Sequence, residues 1–321
     1  MENGQVFEAR KSDHITASMD PSVQSGGGGF EHFSFVHEAL PEIDFSEVSI
    51  ASKLFVGAAN LGVSSAIDVR SPFFISSMTA GHSGSLQLNE IFARAAEHHG
   101  WAMGVGSQRR ELHDLESARE WAGVRKRAPR AILFGNIGLS QLIEVGPDKV
   151  LKLVDSLEAS ALIVHLNPLQ EALQMEGTPN FRGGLNALEG LSGLMASRFK
   201  KPVIVKETGC GISATTAEKL FRVGVSVVDV AGRGGTHWGR IEGWRSRQKS
   251  GAGSGVKSSD QRRQENLADA AESFRNWGIT TAEALEQVTK VAAIANGASG
   301  GSSGREGRRR EVWASGGVRS G

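Results

Sequence analysis

The chain has 321 residues, 39% of them hydrophobic and 22% charged, which suits a soluble globular protein with one large core or two ordinary ones. Its 36 Lys and Arg against 35 Asp and Glu leave a formal charge of +1, so no overall field draws it to nucleic acid or to an anionic membrane. A single cysteine, Cys210, excludes an intramolecular disulfide framework, the N-terminus MENGQVFEARKSDH lacks the apolar stretch of a signal peptide, and no run approaches the roughly 18 apolar residues of a membrane span, so a cytoplasmic protein is expected.

Short apolar runs recur along the chain, each ending in Gly, Ser, Asn or a charged residue. In order they are PFFISSM (72–78), WAMGVGS (101–107), AILFGNIG (131–138), ALIVHLN (161–167), PVIVKETG (202–209), SVVDVAG (226–232) and EVWASGGV (311–318). Helical periodicity fills the intervals at 88–100, 116–123, 147–160, 187–199 and 215–224. Near-continuous apolar strands alternating with helices predict a parallel sheet covered on both faces. Seven of them favour a (β/α)8 barrel over an open doubly wound sheet, with the chain truncated before an eighth strand. Glycine, at 41 residues, is well above the usual share of about 7%. Part of it lies in low-complexity patches at 24–29, about 245–264 and about 296–310, which are expected to stay disordered because they offer too little apolar surface to offset ordering entropy.

In a barrel, the C-terminal ends of all strands face one mouth. The residues just past the runs are Ser77, Met78 and Thr79; Ser107, Gln108 and Arg109; Asn136; His165, Asn167, Gln170 and Glu171; Lys206; Gly234, Gly235 and Thr236; and Gly316, Gly317 and Arg319. Singly each has an ordinary explanation as a helix cap, turn residue or strand-end cation. Polar groups at every strand end need partners, which a large polar ligand would supply. Gly-rich turns after the last two strands let backbone N–H groups approach a phosphate. Lys206 inside a strand end is costly unless it faces an anion or an electron-rich ring.

The segments RKSDH (10–14), FVHEALPEID (35–44), SSMTAGHSG (76–84), GVGSQR (104–109), HLNPLQEALQMEG (165–177), VIVKETGCGIS (203–213), DVAGRGGTHW (229–238) and ASGGVRSG (314–321) occur together in order. In them the chain resembles the type 2, flavin-dependent isopentenyl-diphosphate isomerases over roughly 7–245 and 265–321. HLNPLQE is the most specific match; VAGRGG and SGGVRSG would fit many FMN barrels. The resemblance implies a single FMN-binding barrel domain over 1–321 that converts isopentenyl diphosphate to dimethylallyl diphosphate with FMN, Mg²⁺ and NADPH, and an assembly of four or more copies.

It further implies that Ser77, Met78, Thr79, Ser107, Asn136, Lys206 and Thr236 line FMN and that Gly316 and Gly317 hold its phosphate. Arg10, Lys11, Ser107 and Arg109 would bind the substrate diphosphate, Gln170 would lie beside the alkene, Glu171 would ligate Mg²⁺, and His165 and Asn167 would orient the diphosphate. The chain departs from the family's usual SMTGG at Ala80 and from AGAGGTSW at Arg233 and His237. Two other readings stand beside this one: an FMN barrel of the 2-hydroxy-acid oxidase type, for which His237 and Arg240 are the nearest approach to a His-x-x-Arg pair, and an inactive truncated remnant.

Overall fold

The computed structural model describes residues 4–56, 66–78, 80, 84–114, 116–250, 257–297 and 310–318. Two short strands, β1 (Ser52–Leu54) and β2 (Ile67–Val69), form an antiparallel pair outside the main sheet, a hairpin the sequence pattern does not announce. The seven apolar runs become β3 (Phe74–Ile75), β4 (Ala102–Gly104), β5 (Ile132–Gly138), β6 (Ala161–Leu166), β7 (Val203–Glu207), β8 (Val227–Asp229) and β9 (Glu311–Trp313). Each pairs parallel with the next in chain order. The crossovers carry helices, among them Ser85–His99, Glu116–Arg127, Gly184–Leu194, Ala214–Arg222 and Thr281–Ala295.

The sheet curls, so that side chains from its two edge strands come together inside it. Phe74 of β3 and Trp313 of β9 bring their ring centroids within 5.2 Å, although the two strands share no ladder among the described residues. This is an α/β barrel with seven strands in sequential order. Alternation along each strand explains its two cores. Leu162 and Val164, Val203 and Val205, and Val228 point outward into the layer shared with the helices. Phe134, Ile163, Ile204 and Val227 point inward, where Phe55 and Trp313 join them. Phe55 lies 5.7 Å from Phe134 and 5.6 Å from Trp313, so the interior is plugged by aromatic rings rather than open.

The low-complexity patches are more ordered than expected. Residues 245–250 complete the helix Trp238–Ser250, in which Arg245 is only 3% exposed, and Ser258 opens the helix Ser259–Ser273 through a capping box with Gln261. Arg245 escapes the compositional argument because buried carboxylates await it. Arg310, at the end of the third patch, is buried and donates to the carbonyls of Val225 and Phe221 at 2.8 Å; residues 251–256 and 298–309 lie outside the described set. The patch at 24–29 is pinned by Ser25, whose N–H donates to the Gly235 carbonyl at 2.8 Å, and by Gly28, which lies where a Cβ on Gly234 would fall.

Residues 31–50, by contrast, make only local hydrogen bonds among the described residues and stay exposed, Phe35 and Phe45 almost completely. Phe134→Ala is expected to cost about 3–5 kcal/mol of unfolding free energy. Phe35→Ala should change it by less than about 0.5 kcal/mol. Denaturant unfolding of the two variants checks the assignment of core and surface, and similar losses for both would refute it.

Candidate active site

The alternation that buries Phe134, Ile163, Ile204 and Val227 places Asn136, His165, Lys206 and Asp229 two residues further on, still facing inward. Register puts His165 beside Lys206 and Lys206 beside Asp229. Above this row opens a cleft lined by the ends of β3 to β7 and by the N-terminal helix. Ser77 and Met78 enter it from the end of β3, Ser107 and Arg109 from β4, and Asn136 and Gln141 from β5 and the helix after it. Beyond β6, Asn167 stands just before the short helix Pro168–Leu173, which delivers Gln170 and Glu171 to the cleft; Lys206 and Thr208 come from β7. The N-terminal helix Gly4–Ser18 covers the mouth with Arg10, Lys11 and His14, spaced so that Arg10 and His14 share a face.

Four cations, Arg10, Lys11, Arg109 and Lys206, therefore line one cleft with Glu171 as its lining carboxylate. Lys206 Nζ donates to the Glu207 carbonyl at 2.7 Å and lies 3.9 Å from Asp229. Glu171 is held at both ends: Oε1 accepts from Asn167 Nδ2 at 3.0 Å and Oε2 from the Thr178 N–H at 2.8 Å. Asn167 Nδ2 also donates to Gln170 Oε1 at 3.0 Å. The Asn136 amide donates to the Val105 carbonyl, so its oxygen faces His165 Nδ1 at 2.9 Å and accepts a hydrogen bond from it. Burial, then the charges of Lys206 and Lys11, lower the His165 pKa to about 3, leaving a neutral ring with Nε2 as an acceptor.

Several site residues were not singled out by the sequence. Glu242 is 1% exposed, and its Oε1 accepts from His14 Nε2 at 2.9 Å and Gln170 Nε2 at 3.2 Å, while Arg245 binds its other oxygen. With the Gln174 amide oriented to satisfy its neighbours, its oxygen accepts from Arg10 Nη1 at 2.9 Å and its nitrogen donates to Glu242 at 3.2 Å. Trp238, one helical turn before Glu242, lines the cleft and packs edge-on against His14 at 5.1 Å. Burial alone would raise the Glu242 pKa, but His14 and Arg245 outweigh it and hold the carboxylate at about 2. Burial lowers His14 to about 4 despite Glu242 beside it. The usable signal is the 238, 242, 245 spacing, one face of one helix, partly hidden in a stretch that reads as low complexity.

Three expected FMN residues do not line the cleft. Thr236 binds Gln24, and Gly316 and Gly317 pack against the backbone of Gly232 and Gly234. A Cβ on Gly317 would stand 2.5 Å from the Gly234 carbonyl oxygen, and its φ of 78° favours glycine, so close backbone packing accounts for the residue type. This cluster adjoins the cleft, since Gly209, next to the cleft residue Thr208, lies against the Thr236 backbone. Thr79 lies outside the described residues. Arg233 is half-buried, and its Nε has no partner among the described residues. His237 is fully buried and not part of the cleft wall, and Arg240 donates to the carbonyls of Gln24 and Arg275, so neither forms an acid-binding pair there.

Two features of the cleft bear on whether it could hold a flavin and a metal-bound anion. The Ser77 hydroxyl is buried with no partner among the described residues, and Gly104 leaves it space that a Cβ would fill. The described residues hold no group of three or more metal-ligating side chains, so a divalent cation at Glu171 would take most of its ligands from elsewhere. Among the described residues, no helix is long and apolar enough to cross a membrane.

The sequence is 44% identical over 321 residues to an isopentenyl-diphosphate delta-isomerase of Bdellovibrio bacteriovorus, covering 100% of this chain and 81% of that protein. It is 46% identical over 316 residues to one from Legionella pneumophila strain Paris (98% and 80% covered) and 39% identical over 317 residues to one from Halobacterium salinarum (98% and 76%). No family model matches. Among solved structures, a mandelate racemase/muconate lactonizing enzyme from Roseiflexus sp. aligns with a TM-score of 0.32 at 17% identity over 62% of this chain and 52% of its own. A dihydrodipicolinate synthase from Agrobacterium tumefaciens aligns with a TM-score of 0.34 at 11% identity over 70% and 88%. At these scores they add nothing to the strand order already described.

The buried His14 and His237 and the cleft-lining His165 each have a pKa lowered first by loss of hydration. An unfolded chain binds protons on them below about pH 6.5 while the fold keeps them neutral, so this stability is complete above that pH and falls below it, for His14 toward about 4 and for His165 toward about 3. Each contributes a slope of up to about 1.4 kcal/mol per pH unit. Glu242, with its lowered pKa, loses its own contribution only as pH falls from the ordinary carboxylate range toward 2. In urea titrations between pH 4 and 7.5, His14→Gln is expected to remove about one proton's share of the slope; an unchanged slope would mean His14 is not buried neutral.

Proposed function

The chain belongs to the isopentenyl-diphosphate delta-isomerase family, and from that premise we propose that it converts isopentenyl diphosphate to dimethylallyl diphosphate in the cleft above the sheet. The observation that carries this reading is the charge of the cleft: Arg10, Lys11, Arg109 and Lys206 converge where Glu171 is the lining carboxylate. A diphosphate neutralises that excess, and it brings the oxygens a hard cation needs. Arg10, Lys11 and Arg109 would hold the diphosphate. Glu171, fixed by Asn167 and Thr178, would hold Mg²⁺ against it.

Ser77, Met78, Ser107, Asn136 and Lys206 would line FMN, with Thr79, Thr236, Gly316 and Gly317 assigned to it by resemblance. When bound and reduced by NADPH, FMN supplies a proton-transfer group and an electron-rich face, which unactivated alkene chemistry lacks in an ordinary carboxylic acid at pH 7. The chain's own residues orient the alkene and shield it. Gln170 is fixed at both ends of its amide, by Glu242 and by Asn167, so it presents one set orientation beside the reacting carbons. Neutral His165 places no fixed positive charge beside a centre that gains one. The apolar plug of Phe134, Ile163 and Ile204 closes the cleft from below against water.

The direct test is anaerobic turnover by the purified chain with FMN, Mg²⁺ and NADPH. Dimethylallyl diphosphate should accumulate with NADPH consumed only to reduce the flavin. Oxidation of a 2-hydroxy acid coupled to flavin reduction, without alkene isomerisation, would favour the oxidase reading instead. Gln170→Ala is expected to lower kcat on the order of 10²-fold with KM within about three-fold, and Arg109→Ala to raise KM at least about 10-fold. The reverse pattern in initial-rate kinetics would exchange the two assignments.

A further inference from the structure

We propose that His237 is a positioning residue: its neutral ring caps and anchors the helix that carries Trp238 and Glu242 to the cleft. The inference rests on the isomerase reading above. His237 is 0% exposed and touches three separate segments. Its Nδ1 accepts from the Arg240 N–H at 3.3 Å, at the position a Ser or Asp side chain occupies when it caps a helix. Its Nε2 faces the Trp277 carbonyl at 3.2 Å, and a carbonyl can only accept, so the proton sits on Nε2. Cys210 Sγ lies 3.5 Å from the same nitrogen. The backbone continues the clamp: the His237 N–H donates to Val23, and its carbonyl accepts from Arg240 and Ile241.

The two ring nitrogens therefore do opposite work, and only the neutral Nε2–H tautomer satisfies both. An imidazolium would aim an N–H at the Arg240 N–H and lose the cap. The Trp277 carbonyl favours that charge, but burial and the neighbouring cations outweigh it. Arg240 on its own helix and Arg233 on the preceding loop are cations, the Cys210 thiol and the Trp277 carbonyl are uncharged, and Glu207 turns its carboxylate to the N–H groups of Thr208, Cys210 and Gly211. Burial leads the causes that lower its pKa. The next residue is Trp238, against His14, and one turn further is Glu242, which fixes Gln170. A shift of this first turn moves the groups that orient the substrate, and misplacement by about 1 Å can cost on the order of 10² in rate. Serine, the residue the resemblance gives as usual here, would cap without titrating.

The test compares wild type, His237→Ser and His237→Ala as FMN-loaded, reduced enzymes, by kinetics from pH 5 to 9 and by ¹⁵N NMR of the histidine rings. In the wild type at pH 7, one ring should show a protonated Nε2 and a bare Nδ1, and its signal should vanish in both variants. His237→Ala should lower kcat at least about 10-fold with KM within about three-fold, and His237→Ser should restore kcat to within about three-fold of the wild type. An imidazolium or Nδ1–H ring at pH 7, an unchanged kcat in His237→Ala, or a kcat that His237→Ser fails to restore would overturn the proposal. If His237→Ala does not fold, the serine variant and the ring spectrum decide. If the wild type shows no isomerase activity, the isomerase reading fails, and the ring spectrum still judges the clamp by itself.

Discussion

The structure depends on a change of polarity within one inward-facing row. Along β5 to β8 the interior reads Phe134, Ile163, Ile204 and Val227, and then, two residues later, Asn136, His165, Lys206 and Asp229. Below the step the rings of Phe55, Phe134 and Trp313 fill the barrel; above it, the buried polar groups must find partners. A buried lysine is tolerated there because Asp229 and the Glu207 carbonyl stand beside it, and because the cleft above admits an anion. The apolar layer thus fixes the height at which chemistry can occur.

The lid is built by the same logic from another element. The N-terminal helix lays Arg10, Lys11 and His14 over the mouth, and the helix Trp238–Ser250 meets it with Trp238, Glu242 and Arg245. Glu242 is the junction, accepting from His14, Gln170 and Arg245, and through the Gln170–Asn167 contact it is linked to Glu171. Such a network is stiff when fully satisfied, and removing one member leaves a buried charge unpaired. Neutral histidines keep the lid from adding further positive charge to a cleft already rich in it.

Much of this was legible in the sequence, for physical reasons. Parallel strands buried on both faces are apolar runs, so all seven could be located, and the polar residues ending them marked the mouth. Arg10 and Lys11 were legible only by resemblance, because nothing in a basic pair near an N-terminus says that a helix will lay it over a barrel. Glu242 and Arg245 were hidden because composition around 245–264 resembles a linker, while partner carboxylates and amides distant in sequence bury them. Gly316 and Gly317 looked like a phosphate cradle; their backbones pack on Gly232 and Gly234 beside the cleft, a demand for glycine that sequence cannot separate from a ligand's.

The most direct measurement is a calorimetric titration of the FMN-loaded protein with inorganic pyrophosphate and Mg²⁺, repeated with Arg10→Ala and Phe35→Ala. One pyrophosphate per chain, bound at least about 10-fold more weakly by Arg10→Ala and equally well by Phe35→Ala, is the result expected of an anion site roofed by the N-terminal helix. No binding by the wild type, or binding that Arg10→Ala leaves intact, would contradict it.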